Sequence, residues 1–139
     1  DHFKQLNDRH GHPTGDAALR AVSELLASSV RKVDTVARVG GEEFMLLLPR
    51  ADLGEASVVA DKLRLSVAAA DLPGGREQPS GRLTVSLGVS QLEATDSEDG
   101  DTLIARADQA LYAAKHAGRN QVSRSDMPPR LVKEVDRVH

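Results

Sequence analysis

"RVGGEEFMLLL", residues 38–48, sets the frame for the rest of the chain. Two glycines, Gly40 and Gly41, stand between apolar segments, which is the signature of a β-hairpin with a tight tip. Hairpin chemistry does not ask for the two acids that follow, Glu42 and Glu43. Adjacent residues of a strand point to opposite faces, so these glutamates line one pocket only if the turn breaks that rule. One glutamate beside glycines suits Mg²⁺, which takes a few carboxylates together with phosphate oxygens. Glycines also let a nucleotide lie against bare backbone. The bland reading, a solvated hairpin carrying two surface acids, fits this stretch equally well.

Outward from the hairpin, helical and strand patterns alternate. Upstream, "HPTGDAALRAVSELLASSVRK" reads as a helix starting near Thr14 to Asp16, with Leu19, Val22, Leu25 and Leu26 at helical spacing. Residues 1–8 read as the exit from a strand that lies outside the chain. Downstream, Pro49 and Asp52 close the hairpin. A second amphipathic helix then places Ala56, Val59, Leu63 and Val67 on one face. "DLPGGREQPSG" is a loop, and "RLTVSLGVSQL" alternates like a strand. After the acidic loop "EATDSEDGD", a third helix turns Leu103, Ile104, Ala107, Ala110, Leu111 and Ala114 inward and ends at Gly118. "NQV" begins a last short strand. The order predicts an α+β fold, a sheet covered by helices. Residues 124–139 read as a C-terminal tail or linker with at most a marginal helix.

Composition narrows the function. The 139 residues suffice for one domain with a core. Aromatic residues make up 2%, so that core is aliphatic. The absence of cysteine excludes disulfides and thiolate metal sites and fits a reducing compartment. A formal net charge of −3 argues against a nucleic-acid-binding surface. No apolar run approaches the roughly 18–20 residues that cross a bilayer. The expected location is cytoplasmic, compatible with a parent protein anchored to a membrane through a region upstream.

Three further groups carry possible chemistry. "DHFKQLNDRHGHPTGD" gathers Lys4, Asn7, His12 and Asp16 into a loop before a helix, a place that suits phosphate. Asp with Asn also matches the donor and acceptor edge of guanine. Taken singly, Asp16 reads as an N-cap, Asn7 as a turn former and His12 as an ordinary polar residue. Lys115 and Arg119 lie at a helix C-terminus, where they complement the helix dipole or reach a polyphosphate. Arg31 and Asp34 form a short R-x-x-D, by itself a surface ion pair.

Taken together, these pieces resemble the GGDEF domain, the catalytic domain of bacterial diguanylate cyclases. Its signature stands here as Gly40-Gly41-Glu42-Glu43-Phe44, with Glu in place of Asp. "FKQLNDRHGHPTGD" matches F-K-x-x-N-D-x-x-G-H-x-x-G-D, and "TVSLGVS" and "ADQALYAAKHAGRNQV" match later segments in register. The resemblance runs from Asp1 to about Val122 and assigns residues 1–123 to the domain. It implies a palm- or nucleotide-cyclase-like fold, a mainly antiparallel central sheet flanked by helices. It implies an Mg²⁺- or Mn²⁺-dependent enzyme of second-messenger signalling that joins two GTP molecules into cyclic di-GMP and two pyrophosphates, working as a homodimer of such domains.

Position by position, Glu42 is the implied metal-ligating and proton-accepting acid, and Glu43 the second acid of the signature. Lys4 and the backbone near Phe3 approach the phosphates. Asn7, His12 and Asp16 bind substrate, Asn7 and Asp16 on guanine, with Gly40 and Gly41 as the cradle. Lys115 and Arg119 contact phosphate, and Arg31 and Asp34 form an inhibitory site for the product. The family pattern D-x-D-x-F-K is entered here at its second Asp, Asp1. A first metal-binding Asp, a carbonyl ligand, and the first helix and strand are therefore expected upstream. By itself, the segment is expected to be weakly active or inactive and prone to self-association. The alternative is a module that binds GTP or cyclic di-GMP without turnover.

Overall fold

A computed structural model describes residues 1–78, 80–96 and 99–126. These residues divide into two compact units, Asp1–Arg50 with Lys62–Val85, and Ala51–Asp61 with the described residues from Ser86 onward.

The first unit opens with a helix, not a strand exit. Helix α1 (Phe3–His10) buries Leu6 and carries Arg9 and His10 in its last turn, where cations favour the helix dipole. The chain turns at Gly11 (φ 84°) and enters α2 (His12–Ser28). Pro13 stands in the first turn of α2, so the helix begins ahead of the Thr14 to Asp16 start expected from capping. Neither residue caps it: the Thr14 hydroxyl donates back to the His10 carbonyl at 3.2 Å. Leu19, Val22 and Leu26 are buried as their spacing requires. Gly15 is the contact point of the two helices. A Cβ there would stand 1.9 Å from Asn7 Oδ1 and 3.1 Å from the Phe3 ring.

Strands β1 (Thr35–Arg38) and β2 (Phe44–Leu47) pair antiparallel with Arg38 opposite Phe44. The Gly/Pro-rich loop packs inward at Gly74, where an added Cβ would meet Leu6 at 2.8 Å. Helix α3 (Leu53–Ala69) gives its first part to the second unit and its remainder, with buried Leu63 and Val67, to the first.

The second unit is a strand–helix–strand crossover. β3 (Leu87–Val89) runs parallel to β4 (Val122–Arg124), and α4 (Asp101–His116) connects them, as a parallel pair requires. Gly88 lets α4 lie on β3: a Cβ would stand 2.2 Å from both the Ala107 carbonyl oxygen and the Leu111 nitrogen. Ala110 and Ala114 are buried, whereas Ile104, expected inward, is 38% exposed. α4 ends in a Schellman motif, with Arg119 N–H on the Ala114 carbonyl at 3.1 Å and Gly118 N–H on the Lys115 carbonyl at 3.4 Å.

Two expectations about the sheet change. The strand expected over residues 82–92 is laddered only at Leu87–Val89, because a strand exists only where a neighbour takes its backbone groups. Ahead of it, the Thr84 carbonyl accepts from the Asp1 amino group at 2.8 Å, and the Thr84 hydroxyl donates to the Asp1 carboxylate at 2.8 Å. Among the described residues, the ladders are one antiparallel and one parallel pair, not a mainly antiparallel central sheet. β4 runs through Arg124, and Ser125 N–H donates to the Val89 carbonyl at 2.9 Å. The rest of the expected tail, residues 127–139 with its marginal helix, lies outside the described residues.

Candidate functional site

The hairpin tip is built by residues 39–43, a longer turn than a two-residue Gly-Gly tip. The Glu43 carbonyl accepts from Val39 N–H at 3.0 Å and from Gly40 N–H at 3.4 Å. Arg38 closes the turn from the side: its Nε donates to the Gly40 carbonyl at 3.2 Å and its Nη2 to the Gly41 carbonyl at 2.7 Å. Neither glycine has a positive φ. A Cβ on Gly41 would meet nothing within 4 Å, and one on Gly40 only the Glu43 side chain at 3.6 Å. Neither backbone conformation nor packing demands glycine here. The open space over the turn is what the two glycines preserve.

Glu42 and Glu43 belong to this turn and precede β2, so strand alternation does not govern them. Both are exposed, and the Glu43 side chain folds back beside Gly40. Among the described residues, no group of three or more His, Asp or Glu side chains could enclose a metal ion. Glu42 stands as a single exposed carboxylate, whereas Mg²⁺ is commonly held by one or two carboxylates together with phosphate oxygens.

The residues expected in a loop lie on a helix–glycine–helix corner. Phe3, Lys4 and Asn7 are on α1, and His12 and Asp16 are in the first turns of α2. Lys4, His12 and Asp16 are exposed. Asn7 Oδ1, pressed against Gly15, is buried without a hydrogen-bond partner, an acceptor awaiting a donor. Asp16 opens onto a cleft of about 430 Å³ that is also lined by Leu19, Arg20, Ser23, Glu24 and Arg38. The cleft thus joins the face of α2 carrying Asp16 to the strand end that holds the Gly40-Gly41 turn. Arg20, Ser23 and Glu24 escaped the sequence reading, although their offsets from Asp16 put them on one helical face. Arg38 escaped it as well. Its signal was a guanidinium directly before a turn rich in bare carbonyls.

Arg31 and Asp34 meet in the turn between α2 and β1. Arg31 Nη2 reaches Asp34 Oδ1 at 2.8 Å, and Arg31 backbone N–H donates to Asp34 Oδ2 at 2.8 Å. Arg31 Nη2 also donates to the Pro49 carbonyl at 2.8 Å, linking the two open ends of the hairpin. The Arg31 guanidinium holds the Asp34 carboxyl below the usual carboxylate range despite its near-complete covering.

Lys115 and Arg119 belong to the second unit. Lys115 is half-buried in the last turn of α4, and Arg119 is exposed just past the cap with φ 63°. The same unit contains a bridge that sequence reading missed. Arg106 on α4 grips Asp96 with two nitrogens and donates to the Gln91 carbonyl at 2.6 Å.

The chain belongs to the GGDEF family: the family described as "Diguanylate cyclase, GGDEF domain" matches residues 1–121. It is 47% identical over 122 residues to "Diguanylate cyclase DgcM" of Escherichia coli, covering 88% of this chain and 28% of that protein. It is 38% identical over 122 residues to the "Response regulator PleD" of Caulobacter vibrioides, with 88% and 27% covered. The chain thus spans less than a third of these relatives. Among solved structures it resembles the GGDEF domain of DgcB from Caulobacter crescentus in complex with c-di-GMP, with TM-score 0.81, 34% identity, and 91% of this chain and 74% of that one covered. It also resembles the active GGEEF domain of a diguanylate cyclase from Vibrio cholerae, with TM-score 0.80, 32% identity, and 92% and 79% covered. No helix among the described residues is long and apolar enough to cross a membrane.

Proposed function

We propose that this chain is the catalytic domain of a diguanylate cyclase, which condenses two GTP molecules into cyclic di-GMP and releases two pyrophosphates. The observation that carries the reading is the Gly40-Gly41 turn. It keeps an open surface that the fold does not need, beside the exposed carboxylate of Glu42. Arg38, which donates to two carbonyls of that turn, lines the same cleft as Asp16.

In this reading Asn7 and Asp16 hold guanine: the Asp16 carboxylate accepts from the ring N–H and the amino group, and the Asn7 amide reads the remaining edge. His12 lines the same site. Lys4, Lys115 and Arg119 balance phosphate charge, with the backbone near Phe3 alongside. Glu42 orients the attacking 3′-hydroxyl and takes its proton, and Glu43 steadies the turn. The hydroxyl oxygen bonds to the α-phosphorus of the other nucleotide as the bond to pyrophosphate breaks. A second, reciprocal displacement closes the ring. Mg²⁺ or Mn²⁺, held in part by Glu42, would supply charge neutralisation at the phosphates. Each domain holds one GTP, so two copies face each other in a homodimer. Arg31 and Asp34 serve as an inhibitory site for the product once their mutual bond opens. GTP places the reaction in the cytoplasm.

The test is incubation of the full-length protein with GTP and Mg²⁺, with chromatographic detection of cyclic di-GMP and pyrophosphate. Both products from GTP, and neither from ATP, are expected. Tight GTP binding without product would favour the alternative, a non-catalytic nucleotide-binding module. Arg31→Ala should weaken inhibition by added cyclic di-GMP, and an unchanged inhibition curve would remove Arg31 from that role.

A further inference from the structure

We infer that Arg38 is a positioning residue for the Gly40–Glu43 turn: its guanidinium clamps two consecutive glycine carbonyls and so fixes where the Glu42 carboxylate stands. The inference rests on the proposed cyclase reading for its catalytic consequence, but not for its structural content.

Two adjacent glycines have more backbone freedom than any other residue pair, and losing it is costly. Because both have ordinary φ values and almost no neighbours, nothing in their own packing orders them. The turn's backbone contributes the two bonds onto the Glu43 carbonyl. Arg38 contributes two more, from Nε to Gly40 at 3.2 Å and from Nη2 to Gly41 at 2.7 Å. A planar guanidinium presents two donors in a fixed fork, and lysine cannot copy that with a single ammonium. Arg38 is well anchored for the task, since its backbone is held in the ladder opposite Phe44. Glu42 follows directly on the second clamped carbonyl. An acid that must stand within a fraction of an ångström of its productive position gains most from such a clamp.

The experiment compares the wild-type full-length protein with Arg38→Ala and Arg38→Lys, using Arg76→Ala as a control because Arg76 stands in an exposed ion pair with Asp71 at 3.8 Å. Backbone ¹⁵N relaxation reports order at Gly40, Gly41 and Glu42 without any need for turnover. In Arg38→Ala, order parameters at these residues should fall from about 0.85 to below about 0.6, while Val36, Ala37, Met45 and Leu46 keep theirs. Arg38→Lys should restore little of that order, and Arg76→Ala should leave the turn unchanged. With GTP, Arg38→Ala should lose about ten- to hundredfold in kcat with KM within about threefold, because positioning acts on the transition state. Unchanged order parameters in Arg38→Ala would overturn the inference, as would a loss confined to KM. If the turn loosens but no variant, wild type included, forms product, the clamp stands and the cyclase reading is what fails.

Discussion

At the scale of single residues, the two acids of the hairpin are not equivalent. Glu43 lends its carbonyl to the turn and folds its side chain beside Gly40, whereas Glu42 projects from the turn with no such duty. Glu42→Gln keeps size and hydrogen-bonding capacity but removes the charge. The expected result is a loss of at least about a hundredfold in kcat, with GTP affinity changed only a few-fold, the pattern of a lost transition-state interaction. Stopped-flow kinetics with separate nucleotide titration would measure both. Gly15 permits a second test. A methyl group there would collide with Asn7 Oδ1 at 1.9 Å, so Gly15→Ala must turn the Asn7 side chain aside or move α1 away from α2. We expect a cost of about 1–3 kcal/mol in denaturant titrations. GTP binding should weaken as well, because Asn7 is the residue displaced. Intact nucleotide binding in a destabilised Gly15→Ala protein would argue against Asn7 as a guanine contact.

At the scale of elements, the bridge between Arg106 and Asp96 ties the loop before α4 to the helix itself. The Arg106 side chain, with help from the Glu93 backbone N–H, holds the Asp96 carboxyl down at about 2, against a usual 3.8. The folded state therefore binds this proton less readily than the unfolded chain does. The bridge's contribution is complete above the ordinary carboxylate value and fades as pH falls from there through about 2. Wild type should lose stability across that window more steeply than Asp96→Asn, as followed by circular dichroism in an acid titration. Equal slopes would show that the bridge contributes nothing. The bridge was illegible in the sequence because its partners come from an acidic loop and a helix face with no shared period. The helices were legible, since Leu19, Val22, Leu26, Leu63 and Val67 recur at helical spacing and are buried. The start of α2 was misjudged because cap residues outweighed Pro13, and α1 went unseen because Leu6 alone marks its buried face. Strand length between residues 82 and 92 was overstated, because alternation reports sidedness but not whether a neighbour supplies hydrogen bonds. The proposed site residues were marked in the sequence by type and spacing. Arg38 was not, because its role lies in carbonyls that no side-chain pattern reveals.

At the scale of the whole molecule, the product sets the requirement. Cyclic di-GMP contains two nucleotides, and each chain offers one Gly40-Gly41 turn beside Glu42 and one Asp16. Under the proposed cyclase reading, two copies, each loaded with GTP, must therefore present their nucleotides to one another before either phosphodiester forms. Each copy carries a net charge of −3, and bound GTP adds more negative charge. Association of the loaded copies is thus opposed by repulsion that salt screens over about 10 Å at 0.1 M. Two consequences can be measured together. At protein concentrations below the dimer dissociation constant, the rate of cyclic di-GMP formation should rise with the square of protein concentration, and it should become linear above that constant. Within the quadratic range, moderate salt should raise the rate by favouring encounter, and higher salt should lower it by weakening the proposed cation contacts with phosphate. A rate strictly proportional to protein across the whole range, down to concentrations where sedimentation shows only monomer, would mean that one copy completes the reaction alone.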